Sequence, residues 1–292
     1  MERTMKKIGI YYFSGTGNTE IIAEMARKEF EETGNAVELI RIEDILKNGL
    51  DTGVSGFDII GIGNPVIGFG TPDIVFQFIR MMPCGGGKNV FLLKTAGGVG
   101  AGNYPSSRPV IRKLKRKGYD VCYDRLLSLG SNWVVKFDER ITKRLYEADQ
   151  KKVKTACAEI IAGKRRTQNA GKIVTILMEA IMFIDHFIMR FIGLDLHATK
   201  ECNQCGLCVQ NCPVENITDK KGNLHFSLKC NCCMRCVYTC PHGAIRFRIF
   251  SFFSVRGGYN IRKILKTDND GSDLSGVWKP PFLDEYLKND DM

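Results

Sequence analysis

The sequence predicts an α/β protein in which a doubly wound, five-stranded parallel sheet precedes a small α+β module rich in cysteine. Strand-like and helix-like stretches alternate through the first 165 residues, a pattern typical of a parallel sheet covered on both faces. Nine of the 12 cysteines then fall between residues 202 and 240. A chain of 292 residues is long enough for two domains with connecting segments.

The elements of the sheet domain follow from apolar periodicity. Five segments rich in β-branched and aromatic residues are predicted as strands: 8–13, 37–42, 57–62, 89–94 and 121–129. Four segments with apolar residues at helical spacing are predicted as helices: 19–32, 72–82, 106–117 and 138–162. Pro72 suits a first helical turn, where its missing N–H costs nothing. The helix at 106–117 is strongly basic.

Domain boundaries follow from polar breaks. The stretch 163–171 is polar and predicts the end of the sheet domain. We expect four segments: a sheet domain at 1–165, a connecting helix at 166–198, the cysteine module at 199–248 and a tail at 249–292. The tail carries Gly-Gly, Pro-Pro and Asp/Asn/Ser/Gly stretches, so it is expected to be partly irregular and without chemistry.

The segment 173–194 is apolar along most of its length. At helical spacing, four polar side chains share one narrow stripe: Thr175, Glu179, His186 and Arg190. Central charges disfavour a membrane span, so we expect a helix buried between the two domains. Contact with a membrane surface or with a second copy of the chain is the less favoured alternative.

The cysteine module contains two runs with the same spacing. The first is Cys202-x2-Cys205-x2-Cys208-x3-Cys212-Pro and the second is Cys230-x2-Cys233-x2-Cys236-x3-Cys240-Pro. This spacing is that of bacterial ferredoxins with two [4Fe–4S] clusters, in which the fourth cysteine of each run binds the other cluster. One cluster is therefore predicted on Cys202, Cys205, Cys208 and Cys240, and the other on Cys230, Cys233, Cys236 and Cys212.

Zinc sites and disulfides are the alternatives to clusters. Zinc sites use four ligands in two pairs, which differs from two four-cysteine runs that each end on proline. Disulfide frameworks are typical of small secreted chains, and the first 13 residues carry no cleavable signal. We therefore expect a reducing, cytoplasmic location. Cys232 fits neither run because position 235 is arginine, and Cys84, Cys122 and Cys157 are expected to be buried apolar residues.

Three glycine-rich loops follow predicted strands. The turn Ser14–Thr19 offers hydroxyls and a helix N-terminus to an anion, without the lysine of a Walker loop. Gly63–Gly70 and Thr95–Tyr104 follow the third and fourth strands. Since the carboxyl ends of parallel strands share one edge, these loops should gather there, and Phe69 or Tyr104 could stack on a flat ring.

The Ser14–Thr19 turn is similar to the phosphate loop of flavodoxins, and the whole chain resembles flavodoxin–ferredoxin fusion proteins over about residues 5–248. Further likenesses are Cys205-Gly206-x-Cys208, Cys212-Pro213-Val214-x-Asn216-Ile217 and Ser131-Asn132-Trp133. The resemblance implies a flavodoxin-like sheet followed by a 2[4Fe–4S] ferredoxin domain, with FMN in the first domain. The residues that would bind FMN are Ser14, Gly15, Thr16, Gly17, Asn18, Thr19, Asn64, Pro65, Thr95, Ala96, Gly97 and Gly98.

The predicted function is electron transfer between FMN and the two clusters, which links a low-potential donor to an unknown acceptor. The alternative is a flavin-dependent reductase of a small organic substrate, fed by the clusters. The sequence shows no catalytic triad or acid–base pair, so no catalytic residue is predicted and the carrier is favoured over the enzyme.

The net charge of +10 bears on partners. Bound clusters and a flavin phosphate would lower it to roughly +4, and runs of charge usually form solvated faces. We expect no nucleic-acid partner. The basic helix, with Arg112, Lys113, Lys115, Arg116 and Lys117, is instead predicted to dock an acidic redox protein such as a ferredoxin, a flavodoxin or a reductase.

Overall fold

Five parallel strands form the central sheet in the order β2-β1-β3-β4-β5. The structure is a computed structural model that describes residues 5–268 and 273–290. The strands are β1 (Lys7–Tyr12), β2 (Ala36–Arg41), β3 (Ile59–Pro65), β4 (Asn89–Thr95) and β5 (Asp120–Leu127). This order is that of the flavodoxin-like fold, with a switch point between β1 and β3, so the predicted fold class is confirmed for the sheet.

Helices cover both faces of the sheet. They are α1 (Asn18–Glu32), α2 (Ile42–Asn48), α3 (Asp73–Met81), α4 (Arg108–Arg116) and α5 (Glu139–Ile161). One apolar core joins the sheet to α2, α3 and α4 through residues such as Ile45, Phe78 and Leu114. The other joins it to α1 and α5, where Phe30 and Val153 are buried. The short helix α2 was not predicted.

The cysteine module consists of short antiparallel ribbons and short helices. A small hairpin, β6 (Asn132–Trp133) and β7 (Val135–Lys136), precedes α5, and α6 (Lys172–Leu194) leads into the module. The module elements are β8 (Leu196–Ala198), α7 (Leu207–Gln210), β9 (Ile217–Lys220), β10 (Asn223–Phe226), α8 (Arg235–Thr239) and β11 (Ile245–Phe247). Strand β8 pairs with β11, and β9 pairs with β10.

Helix α6 is not buried between the domains, which corrects the expectation. Its polar stripe packs inward, where Thr175 is buried and Glu179 accepts hydrogen bonds from α4. Most of its apolar side chains face outward and are exposed, among them Ile173, Phe183 and Phe191. Across residues 5–268 and 273–290, no helix is long and apolar enough to cross a membrane.

The tail is more ordered than expected. It contains α9 (Ile261–Leu265) and α10 (Leu283–Lys288). Ile261 packs with Leu129 beside the sheet, and Leu283 and Tyr286 pack with Leu145 of α5. The tail therefore closes the end of the sheet at which the glycine-rich loops lie.

Candidate cofactor sites

The turn Ser14–Thr19 joins β1 to α1 at the carboxyl edge of the sheet. Gly17 precedes the helix with φ of 102°, a left-handed conformation that glycine adopts without strain. Its amide donates to Ser14 Oγ (3.1 Å), and Asn132 Nδ2 donates to Thr16 Oγ1 (2.5 Å). Asn18 Nδ2 donates to the Gly130 carbonyl oxygen (3.1 Å). The turn is thus held in place, with the N-terminus of α1 available to an anion.

A cavity of about 360 Å³ lies against this turn. Loops after β1, β3, β4 and β5 supply its lining, together with residues from the tail and the cysteine module. The predicted flavin residues that line it are Ser14, Gly15, Thr16, Asn18, Thr19, Pro65, Thr95, Ala96 and Gly97. Gly17, Asn64 and Gly98 do not line it. Asn64 is buried and donates to the Pro65 carbonyl oxygen (3.0 Å), so it braces the loop.

Three aromatic side chains line the cavity: Phe69, Trp133 and Phe253. Tyr104, one of the two predicted stacking residues, packs instead against the core around Leu145. The rings of Trp133 and Phe253 lie 4.6 Å apart, and Trp133 Nε1 is buried without a hydrogen-bond partner in the described part of the chain. Phe253 comes from the tail, for which the sequence indicated no role.

The lining fits FMN. Hydroxyls and backbone N–H groups cluster at the Ser14–Thr19 turn, where a phosphate would be bound without a basic side chain. None of the described residues that line the cavity is charged. Trp133 Nε1 is a donor that lacks an acceptor, and a flavin ring carries acceptor atoms.

The cysteine module brings thiols of the two runs close to one another. Burial raises the pKa of the Cys208 thiol, and the nearby Cys202 and Cys240 thiols raise it further. Burial likewise raises the pKa of Cys236 far above its ordinary value, and nearby thiols raise it further: Cys233, Cys230, Cys212 and, from the other predicted ligand set, Cys208. Cys205 is exposed and lies between Cys202 and α7, the helix that carries Cys208. Crossed ligation needs this closeness, and that ligation remains a prediction.

Backbone amides already point at three of these sulfurs. Asn216 N donates to Cys212 Sγ (3.2 Å), Cys232 N to Cys230 Sγ (3.3 Å) and Ala244 N to Cys240 Sγ (3.3 Å). Such N–H···S bonds stabilise thiolates and tune bound clusters. The donor set of eight thiols with amide support therefore fits two clusters.

No three His, Cys, Asp or Glu side chains of residues 5–268 and 273–290 form a group that could hold a metal ion. A cubane is bound by one thiolate at each of its four irons, so its ligands surround it and do not converge on one point. The two clusters therefore remain a prediction from the cysteine spacing.

Cys232 is buried beside the second run, where its thiol and that of Cys230 shift each other's pKa in opposite directions. Its thiol donates to the Met189 carbonyl oxygen of α6 (2.9 Å), and it lines the 360 Å³ cavity. Cys157 is buried as expected, whereas Cys122 is only partly buried and Cys84 is exposed. The expectation of three buried thiols in the sheet domain was therefore wrong for Cys84.

Arg235 ties the cysteine module to the Ser14–Thr19 turn. Its guanidinium donates to the carbonyl oxygens of Ser14 (2.5 Å) and Gly15 (3.3 Å), and to that of Asn211 (3.1 Å) in the first cysteine run. It also pairs with the buried carboxylate of Glu43 at 2.7 Å. Sequence reasoning missed this role, because nothing in the local pattern around Arg235 indicates a partner 221 residues away.

Gly15 packs directly against the cysteine module. A Cβ at this position would lie 2.2 Å from the Cys233 carbonyl oxygen, which no side chain could occupy. Cys233, a predicted cluster ligand, also lines the 360 Å³ cavity. One residue therefore borders both candidate cofactor sites.

No protein-family model and no curated protein matches the sequence. Solved structures do. The two-electron reduced flavodoxin of Megasphaera elsdenii is 28% identical, over 41% of this chain and 84% of that one, with a TM-score of 0.35. Rubredoxin oxygen:oxidoreductase from Desulfovibrio gigas is 18% identical, over 53% of this chain and 35% of that one, with a TM-score of 0.42. NAD(P)H:quinone oxidoreductase from Methanothermobacter marburgensis is 14% identical over 54% and 96%, with a TM-score of 0.41.

Proposed function

We propose that this chain is an electron-transfer protein that binds FMN and two [4Fe–4S] clusters and links a low-potential donor to an acceptor. The observation that carries the proposal is the position of Cys233, which belongs to one predicted ligand set and lines the predicted flavin cavity. FMN, when bound, exchanges two electrons in single steps, and each cluster exchanges one.

The protein's part is to bind and orient. The Ser14–Thr19 turn would hold the phosphate by N–H and hydroxyl donors, and Phe69 and Trp133 would border the ring. Arg235 holds the second cysteine run against this turn through the carbonyl oxygens of Ser14 and Gly15. Because the acceptors are backbone atoms, the Arg235 side chain is anchored to the main chain of the turn itself.

A carrier is favoured over a reductase by the lining of the cavity. Among its described residues there is no histidine, carboxylate, lysine or arginine that could move a proton to or from a substrate.

The test is rapid mixing of anaerobic holoprotein with a reduced ferredoxin, followed at the flavin absorbance. Cys212→Ser removes one predicted ligand of the cluster nearer the cavity, and Cys212 itself does not line that cavity. We expect this variant to keep FMN and to reduce it at least roughly tenfold more slowly. The exposed Cys84→Ser is the matched control. Flavin reduction at the wild-type rate in Cys212→Ser would show that the clusters are not on the route.

A further inference from the structure

The outward face of α6 is apolar along its whole length. Between Ile173 and Leu194, every exposed side chain is apolar. These residues are Ile173, Ile176, Leu177, Ala180, Phe183, Ile184, Phe187, Ile188, Phe191 and Leu194. The exposed fractions of Ile173, Phe183 and Phe191 are 85%, 69% and 61%. Ten residues on one side of a helix about 35 Å long exceed the apolar patches that monomeric proteins usually expose.

The inward face of α6 carries the polar side chains of the helix, next to the buried Met178, Met182 and Ile192. Glu179 accepts hydrogen bonds from Arg108 Nε (3.0 Å) and Arg112 Nη1 (2.5 Å), and Arg190 pairs with Asp73 at 3.1 Å. A surface helix ordinarily turns its apolar stripe to the core and its charges to water. Here the orientation is reversed, and the ion pairs fix it. The apolar stripe is therefore held outward, toward an environment other than water.

The apolar face continues past the end of the helix. The Asp195 carboxylate accepts hydrogen bonds from the backbone amides of Ile249 (2.9 Å) and Phe250 (2.9 Å). This loop exposes Ile249 at 75% and Phe252 at 57%. The loop and the helix are thus tied together at the C-terminal end of α6.

Charge next to this face favours one occupant. Helix α4, which pairs with Glu179 of α6, exposes four basic side chains: Arg112, Lys113, Lys115 and Arg116. The net charge of the whole chain is +10. A second copy would bring the same positive charge, and the exposed stripe offers no polar side chain to set the register of a protein partner. A bilayer needs no register, and anionic headgroups attract basic residues beside a buried apolar face.

We propose that α6 lies in the plane of a lipid bilayer rich in anionic headgroups, with its outward face among the acyl chains and α4 at the headgroups. The cysteine module would then be held at the membrane surface, because Cys232 donates to the Met189 carbonyl oxygen and Cys230 packs against Gly193 of the same helix. This inference does not depend on which cofactors the protein binds.

The experiment is flotation of the anaerobically purified full chain with vesicles of phosphatidylcholine alone or with one quarter phosphatidylglycerol. We expect binding to the anionic vesicles that weakens with salt. Replacement of Phe183, Phe187 and Phe191 by serine should lower partitioning at least roughly tenfold. The three side chains are exposed, so the folded protein should keep its visible spectrum.

The matched control replaces two exposed apolar residues away from α6, Leu50→Ser and Met81→Ser, and should bind as the wild type does. Sedimentation without lipid completes the test. A stable dimer that the triple serine variant converts to monomer, without vesicle binding, would overturn the proposal in favour of a second copy. A monomeric protein that binds neither kind of vesicle would overturn the proposal as well.

Discussion

The guanidinium of Arg235 donates a 2.5 Å hydrogen bond to the carbonyl oxygen of Ser14. This bond joins the second cysteine run to the turn that precedes α1. The same side chain reaches the Gly15 carbonyl oxygen and the Glu43 carboxylate, and its guanidinium lies 5.9 Å from the ring of Phe13. A single buried arginine thus fixes how the two candidate cofactor sites face each other.

Arg235→Met should weaken the contact between the cysteine module and the Ser14–Thr19 turn. The variant loses the bonds to the turn and leaves Glu43 with only its 2.8 Å pair to Arg41. Removing one partner of a buried ion pair costs about 3 kcal/mol, and the cost should be somewhat less here because Arg41 remains. We expect a lower free energy of unfolding and weaker FMN binding, measured by denaturation and by flavin fluorescence. Arg262→Met, which breaks exposed pairs with Glu24 and Glu20, should cost under about 1 kcal/mol.

Gly15→Ala should separate the cysteine module from the turn. The new methyl group would lie 2.2 Å from the Cys233 carbonyl oxygen, so one backbone segment must move. We expect loss of FMN affinity and slower electron transfer to the flavin. Gly100→Ala is the matched control, because its Cβ would meet nothing within 4 Å. Equal flavin affinity in both variants would contradict the close packing.

The eight-cysteine ligand set predicts the iron content of single variants. Cys212→Ser and Cys240→Ser should each lose one cluster and keep the other, so each retains about half the iron. Cys232→Ala should keep both clusters, since its thiol donates to the Met189 carbonyl oxygen and its position fits neither cysteine run. Iron analysis and low-temperature EPR measure this outcome. Loss of iron in Cys232→Ala that equals the loss in Cys212→Ser would refute the assignment.

Asp149 should make stability depend on pH. Burial raises the pKa of its carboxyl to about 7, although Tyr286 donates a hydrogen bond to it. Because this folded-state pKa exceeds the ordinary 3.8, the group stabilises the fold fully below about pH 4 and loses that contribution as the pH rises to about 7. Asp149→Asn stays neutral, so its free energy of unfolding should fall less over this range. Parallel pH profiles in denaturant titrations would show that the carboxyl does not titrate there.

The sheet was predictable because each strand is a short apolar run that ends in a turn signal. Strands β1, β4 and β5 lie within two residues of their predicted bounds. Helix α2 was missed because Ile42 follows β2 directly, without a turn between them. The polar stripe of α6 was also predicted, but its direction was not, since that depends on Arg108, Arg112 and Asp73 from other elements.

The candidate site was predictable where chemistry is local. Repeated cysteine spacing and a Ser/Thr/Gly turn each indicate a ligand by themselves. Phe253, Arg235 and the closeness of Cys233 to Gly15 depend on contacts between distant parts of the chain, and no local pattern encodes them. The tail residue Tyr259 donates to Asn18 Oδ1 (2.8 Å), and this contact could not be predicted from the sequence for the same reason.

The cofactor content of anaerobically purified protein tests the central claim most directly. The visible spectrum, with flavin and iron counted, should show flavin bands over a broad cluster absorbance, with about one FMN and about eight irons per chain. Flavin without iron would contradict the cluster assignment, and iron without flavin would leave the 360 Å³ cavity without its predicted ligand.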